Sequence, residues 1–141
     1  MSYVIDNKQA EGKEVTSIFL ADDHEINRRL IKRLLKEEAD LCVVGEADNG
    51  LEAARMVTDL KPDILITDLS MPGLDGIEVT RRVRESSPQT RVIVISMWEP
   101  ERYAEAVKEA GAVAYIVKDS AINSLVPAIR AATDRQGNSN S

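Results

Sequence analysis

Five short apolar runs alternate along this chain with five amphipathic segments, and that alternation constrains the fold more tightly than any other feature. The runs occupy residues 17–21, 41–45, 63–67, 91–95 and 113–117. They are continuous rather than alternating and are rich in Val and Ile, the signature of strands covered on both faces. Between them, apolar residues return at helical spacing. Ile26, Leu30, Ile31, Leu34 and Leu35 share one face of a first helix. Leu51, Ala54, Val57 and Leu60 make a second, which stops before Pro62. A weaker third runs from Ile77 to Arg84 and ends at Ser86-Ser87-Pro88. Tyr103, Ala106, Val107 and Ala110 form a fourth, with Gly111 placed to cap it. Ile122, Leu125, Val126 and Ile129 form the fifth, where Pro127 predicts a kink or a late start.

Strands alternating with helices predict an α/β fold, a doubly wound parallel sheet of five strands with helices on both faces. The expected strand order is 2-1-3-4-5, the flavodoxin-like (βα)5 arrangement. A chain of 141 residues has room for one such domain. Its expected limits are 16–133. Residues 1–15 are polar and aperiodic and read as a flexible extension; 134–141, DRQGNSNS, have the composition of a tail or a linker cut short.

Composition removes several function classes. The net charge of −6 argues against this chain holding nucleic acid by itself. Two small basic clusters, Arg28-Arg29 with Lys32-Arg33 and Arg81-Arg82 with Arg84, read as solvated helix faces. No apolar run approaches the ~20 residues that span a bilayer, and the start resembles no signal peptide. Cys42 is the single cysteine, which leaves no internal disulfide; its apolar neighbours predict a buried core position. A cytoplasmic protein without a membrane partner is expected.

The informative residues are those that follow the strands. Strand one runs into Asp22-Asp23, strand three into Asp68, strand four into Ser96 and strand five into Lys118. In a parallel sheet all carboxyl ends lie along one edge, and the crevice opens where strand order reverses, here between strands one and three. Taken singly, each residue has an ordinary reading: Asp23 as a helix cap, Lys118 as a surface lysine, Ser96 as a loop serine. Together, on one edge, they form a site. Three crowded carboxylates repel, and a hard cation such as Mg²⁺ resolves the conflict. With Lys118 to pair an anion and Ser96 to bond a phosphoryl oxygen, the set suits phosphoryl transfer.

At these residues the sequence resembles the receiver domain of bacterial response regulators, over about residues 16–133. The resemblance rests on Leu20-Ala21-Asp22-Asp23-His24, on Asp68-Leu69-Ser70-Met71-Pro72-Gly73-Leu74-Asp75-Gly76, on Ile95-Ser96, and on Gly111 through Lys118-Asp119. It implies a signalling switch rather than a turnover enzyme. Asp68 would be the phosphoacceptor, taking its group from a sensor histidine kinase. Asp23, Asp68 and the backbone carbonyl of Ser70 would ligate Mg²⁺, with Asp22 acting through a water. Lys118 would pair with the phosphoryl group, Ser96 would move toward it, and Tyr115 would swing inward; from residues alone Tyr115 reads as core packing. The resemblance is strongest to a subfamily that usually continues into a helix-turn-helix DNA-binding domain, so transcription regulation and a phosphorylation-dependent homodimer are further implications. Ser70 stands where the family often has an amide, and Lys118 is not followed by proline. His24 reads as an exposed histidine at the top of the first helix. Trp98, two residues beyond Ser96, reads either as a loop aromatic without a role or as a ring that hinders hydrolysis of the acyl phosphate.

Three other functions fit the sequence less well. A phosphatase with an aspartyl-phosphate nucleophile would carry Asp-x-Asp after strand one, and here the acids are adjacent. A degenerate receiver would have lost part of the polar set. A nucleotide-binding domain would carry a Gly-rich loop after strand one.

Overall fold

The computed structural model describes residues 14–134. Five strands and five helices alternate: β1 Thr16–Ala21, α1 Glu25–Lys36, β2 Leu41–Ala47, α2 Gly50–Leu60, β3 Ile64–Asp68, α3 Gly76–Ser86, β4 Arg91–Ser96, α4 Pro100–Ala110, β5 Ala114–Val117 and α5 Ala121–Thr133, the last preceded by a 3-10 turn, Lys118–Ser120. The strands pair in parallel in the order β2-β1-β3-β4-β5, as the alternation predicted. Most expected extensions of the chain, 1–15 and 134–141, lie outside the described residues.

The sheet separates two cores. Phe19, Leu65, Val92 and Val94 face α2, α3 and α4, meeting Ala53, Val57, Val79, Val83 and Val107. Their sequence neighbours Ile18, Leu20, Ile64, Ile66, Ile93 and Ile95 point the other way, onto Leu35 of α1 and Leu125 and Ile129 of α5. Every residue of β3 is buried. Continuous apolar runs are therefore what both faces require, with each fully buried Leu or Ile contributing about 1.5–3 kcal/mol.

Helix ends follow local chemistry. Asn49 and Asp75 accept from the backbone N–H of Glu52 and Glu78, both at 2.9 Å, capping α2 and α3. Gly111 closes α4 with φ +118, as expected. Gly76 begins α3 against the sheet, where a Cβ would come within 2.5 Å of the Asp68 carbonyl oxygen. No other residue lets the helix start so close to Asp68.

Four expectations fail. Of the first helix's apolar set, Ile26 is 71% and Leu30 56% exposed, because Ile31, Leu34 and Leu35 already cover the sheet. Ile122 likewise faces out, as do Leu51 and Leu60 in part. α5 starts at Ala121, so Pro127 imposes no late start. Cys42 is half-buried rather than core, since it lies on β2, an edge strand.

Candidate functional site

Parallel pairing brings the strand ends into register. Ala21 of β1 lies opposite Thr67 of β3, Asp68 opposite Ile95 of β4, and Ser96 opposite Val117 of β5. The next residues along, Asp22, Asp68, Ser96 and Lys118, thus emerge at one edge. Asp22, Asp68 and Ser96 are buried there, while Asp23 is more open. The five residues singled out at the strand ends are all found at this edge.

Lys118 Nζ lies 3.1 Å from Asp68 Oδ2 and 3.8 Å from Asp22 Oδ2. The other Asp68 oxygen, Oδ1, receives only a long contact of 3.5 Å from the Ser70 N–H. Burial, reinforced by the negative charge of Asp22, pushes the Asp68 carboxyl above its ordinary value; Lys118 and the Ser70 N–H offset this in part. Three carboxylates with one lysine between them leave an excess of negative charge in a poorly solvated place. That donor set fits a hard divalent cation.

Of two neighbours of the acids, His24 is exposed at the top of α1 as expected, whereas Arg28 departs from expectation. The His24 ring is 58% exposed, yet its Nδ1 stands 3.1 Å from both Asp22 Oδ1 and Asp23 Oδ1. His24, not Asp23, is the N-cap of α1, and its side chain makes no capping bond. Arg28 is no solvated residue: its side chain is 17% exposed, Nη1 donates to the Asp22 carbonyl at 2.5 Å, and Nε donates to Glu46 at 3.0 Å. Lys32 adds a second bond to Glu46 at 2.5 Å. These two cations hold the Glu46 carboxyl below the usual carboxylate range, with the Lys32 bond first among the causes and partial burial opposing. Arg28 therefore ties the loop bearing Asp22 and Asp23 to the end of β2. Sequence reasoning missed it; the available signal was Arg28 and Lys32 at i, i+4 opposite a lone acid near the end of strand two.

On the other side of Asp68, Ser96 Oγ accepts from the Trp98 N–H at 3.0 Å, and the Tyr115 hydroxyl donates to the Trp98 carbonyl at 2.8 Å. The Arg102 guanidinium sits 4.5 Å from the centroid of the Trp98 ring, a cation–π contact. Tyr115 is half-buried against the α2–α4 core.

A sequence model of the response regulator receiver domain matches residues 18–130, which hold every one of these groups. The chain belongs to that family. It is 35% identical over 113 residues to the response regulator GacA of Pseudomonas aeruginosa, covering 80% of this chain and 53% of GacA. It is 39% identical over 114 residues to the oxygen regulatory protein NreC of Staphylococcus epidermidis, covering 80% and 52%. The chain thus spans about half the length of the curated relatives it matches. Among solved structures, the receiver domain of NarL from Mycobacterium tuberculosis superposes with a TM-score of 0.78 at 33% identity, covering 82% of this chain and 94% of that one. A LuxR-family two-component response regulator from Aurantimonas gives 0.79 at 37%, with 84% of each chain covered. Among the described residues of this receiver domain, no helix is long and apolar enough to cross a membrane.

Proposed function

We propose that this receiver domain is a phosphorylation-dependent signalling switch whose phosphoacceptor is Asp68. The observation that carries the reading is the buried Asp68 carboxylate, paired with Lys118 on one oxygen and nearly free on the other. Asp23, Asp68 and the Ser70 backbone carbonyl would hold Mg²⁺, with Asp22 acting through a water. Bound there, the ion would neutralise charge on the phosphoryl oxygens. An Asp68 oxygen attacks phosphorus, the P–N bond of a phosphohistidine on a sensor histidine kinase breaks, and the imidazole leaves. Lys118 then pairs with the phosphoryl group. Ser96 turns its hydroxyl from the Trp98 N–H toward that group, and Tyr115, released from the Trp98 carbonyl, moves inward. The chain modifies itself and turns over no external substrate.

The kinase must bring its phosphohistidine to Asp68, so it must cover the rim of the site. Ile122 and Leu30 stand exposed there, beside a groove that also includes Asp22 and Lys118. An apolar rim around a charged centre suits a transient protein partner. The chain covers only about half of relatives that include a protein named as a transcriptional regulatory protein, which supports an output domain acting on transcription; a cytoplasmic location and a homodimer favoured by phosphorylation belong to the same reading. The adjacent acids after β1 disfavour a phosphatase of the Asp-x-Asp kind.

Acetyl phosphate tests the reading. Intact-mass measurement should show one added phosphoryl group with Mg²⁺ and none without it, and none in Asp68→Asn, whose amide is a poor nucleophile. An Asn variant labelled as fully as wild type at another hydroxylamine-sensitive position removes Asp68 from the role.

A further inference from the structure

The loop between β3 and α3 runs over the surface, with Ser70, Pro72 and Gly73 all exposed. Its base is closed by the Gly76 N–H, which donates to the Leu69 carbonyl at 2.7 Å. Farther out, the Pro72 carbonyl accepts from the Gly50 N–H at 3.1 Å. Gly50 is the first residue of α2, and the opening N–H groups of a helix have no partner within it. The Asn49 side chain takes the Glu52 N–H, and the loop takes that of Gly50. Contact at this point is close. Gly50 is buried, and a Cβ there would come within 1.9 Å of the Leu74 carbonyl oxygen and 2.7 Å of its carbon. Both atoms are backbone, so no change of rotamer makes room. Leu74 in turn packs against the core that α2 and α3 share.

We propose that Gly50 is a positioning residue for the cation site: by seating the β3–α3 loop on the start of α2, it fixes the Ser70 carbonyl relative to Asp68. The inference rests on the reading of Ser70 as a metal ligand and adds what holds that ligand in place. A carbonyl on an exposed loop has many orientations, whereas Mg²⁺ demands near-octahedral ligands. Groups that orient a ligand without touching the ion typically change metal affinity about 10- to 100-fold when lost. Pro72 lies two residues from Ser70, so a displaced Pro72 carbonyl carries the ligand with it.

The experiment uses the full chain. Calorimetric titration gives the Mg²⁺ Kd of wild type, Gly50→Ala and Gly45→Ala. The last variant crowds the Phe19 ring, which a Cβ would meet at 2.7 Å, and so reports what a clash in the core does by itself. The Kd should rise at least fivefold in Gly50→Ala and stay within twofold of wild type in Gly45→Ala. A smaller rise, or one matched by Gly45→Ala, overturns the proposal. Should Gly50→Ala fail to fold, amide exchange in wild type decides. Mg²⁺ should slow exchange of the Gly50 N–H at least threefold more than that of the Glu52 N–H, which is held within α2. Equal slowing of the two overturns the role of Gly50. Mg²⁺ binding weakened by Asp68→Asn would then leave the cation site itself standing, whereas binding indifferent to Asp68 overturns both readings.

Discussion

The Tyr115 hydroxyl and the Trp98 carbonyl are joined by a hydrogen bond of 2.8 Å, and the N–H of the same Trp98 is bonded to Ser96 Oγ at 3.0 Å. One residue of the β4–α4 loop therefore links the serine beside Asp68 to the tyrosine on β5. A change at Ser96 has a short, bonded route to Tyr115.

Ser96→Ala breaks that route at its first bond. The variant should still take up phosphate from acetyl phosphate, because Asp68 and Lys118 remain. Its response should be weaker by about half or more, since a hydrogen bond to a charged group is worth roughly 1.5–3 kcal/mol and a switch needs a bias of a few kcal/mol. Amide shifts across residues 97–117 on phosphorylation give the readout. Shifts as large as in wild type would remove Ser96 from the coupling.

Trp98 is 42% exposed and held by Arg102 in the loop that borders Asp68. If its ring hinders the water that hydrolyses the acyl phosphate, Trp98→Ala should shorten the phosphate lifetime about tenfold, or about 1.4 kcal/mol of barrier. Ser70, too short to position that water, would leave the wild type slow. Decay after donor removal, at fixed Mg²⁺, decides the matter; equal half-lives would make the ring a bystander.

The raised carboxyl of Asp68 has a stability consequence. A proton binds Asp68 more tightly in the folded chain than in the unfolded one. Stability from this group therefore falls as pH rises from the ordinary carboxylate value, ~3.9, through the raised folded value. Without metal, Asp68→Asn should melt about 2 °C or more above wild type at pH 7, and the gap should close near pH 4. Added Mg²⁺ should raise the melting temperature of wild type more than that of the variant. Scanning calorimetry at several pH values checks both signs.

Arg28→Ala frees the Asp22 carbonyl and one side of Glu46. The loss should lower the melting temperature by about 5 °C, the size expected for a charged hydrogen bond of roughly 1.5 kcal/mol in a domain of this length. It should also raise the Mg²⁺ Kd about fivefold, with partial recovery in Arg28→Lys. A Kd within twofold of wild type would confine Arg28 to holding the fold.

The strands were legible because β3 and β4 are buried on both faces, which only Val- and Ile-rich runs tolerate. The same logic placed Asp22, Asp68, Ser96 and Lys118, since strand ends in a parallel sheet share an edge. Orientation about a helix was not legible. Ile26 and Leu30 fit the apolar stripe of α1 by spacing, yet the sheet is narrow enough that Ile31, Leu34 and Leu35 fill the contact. Arg28 looked like a surface residue because its partners, the Asp22 carbonyl and the distant Glu46 carboxylate, leave no periodic trace. Strand two was expected to end at Gly45, but it continues through Glu46 to Ala47; polar residues suit an edge strand and disguise its end.

The strand order also sets a timetable. Among the described residues, β5 is the last strand made and lies at the sheet's edge, paired with β4 alone. Asp22, Asp23 and Asp68 leave the ribosome long before Lys118, the residue that balances them. A growing chain can fold its earlier strands and still present acids without their lysine. The acid cluster is thus assembled from its negative end, and on the proposed reading phosphate could be taken up in its proper surroundings only after β5 has docked.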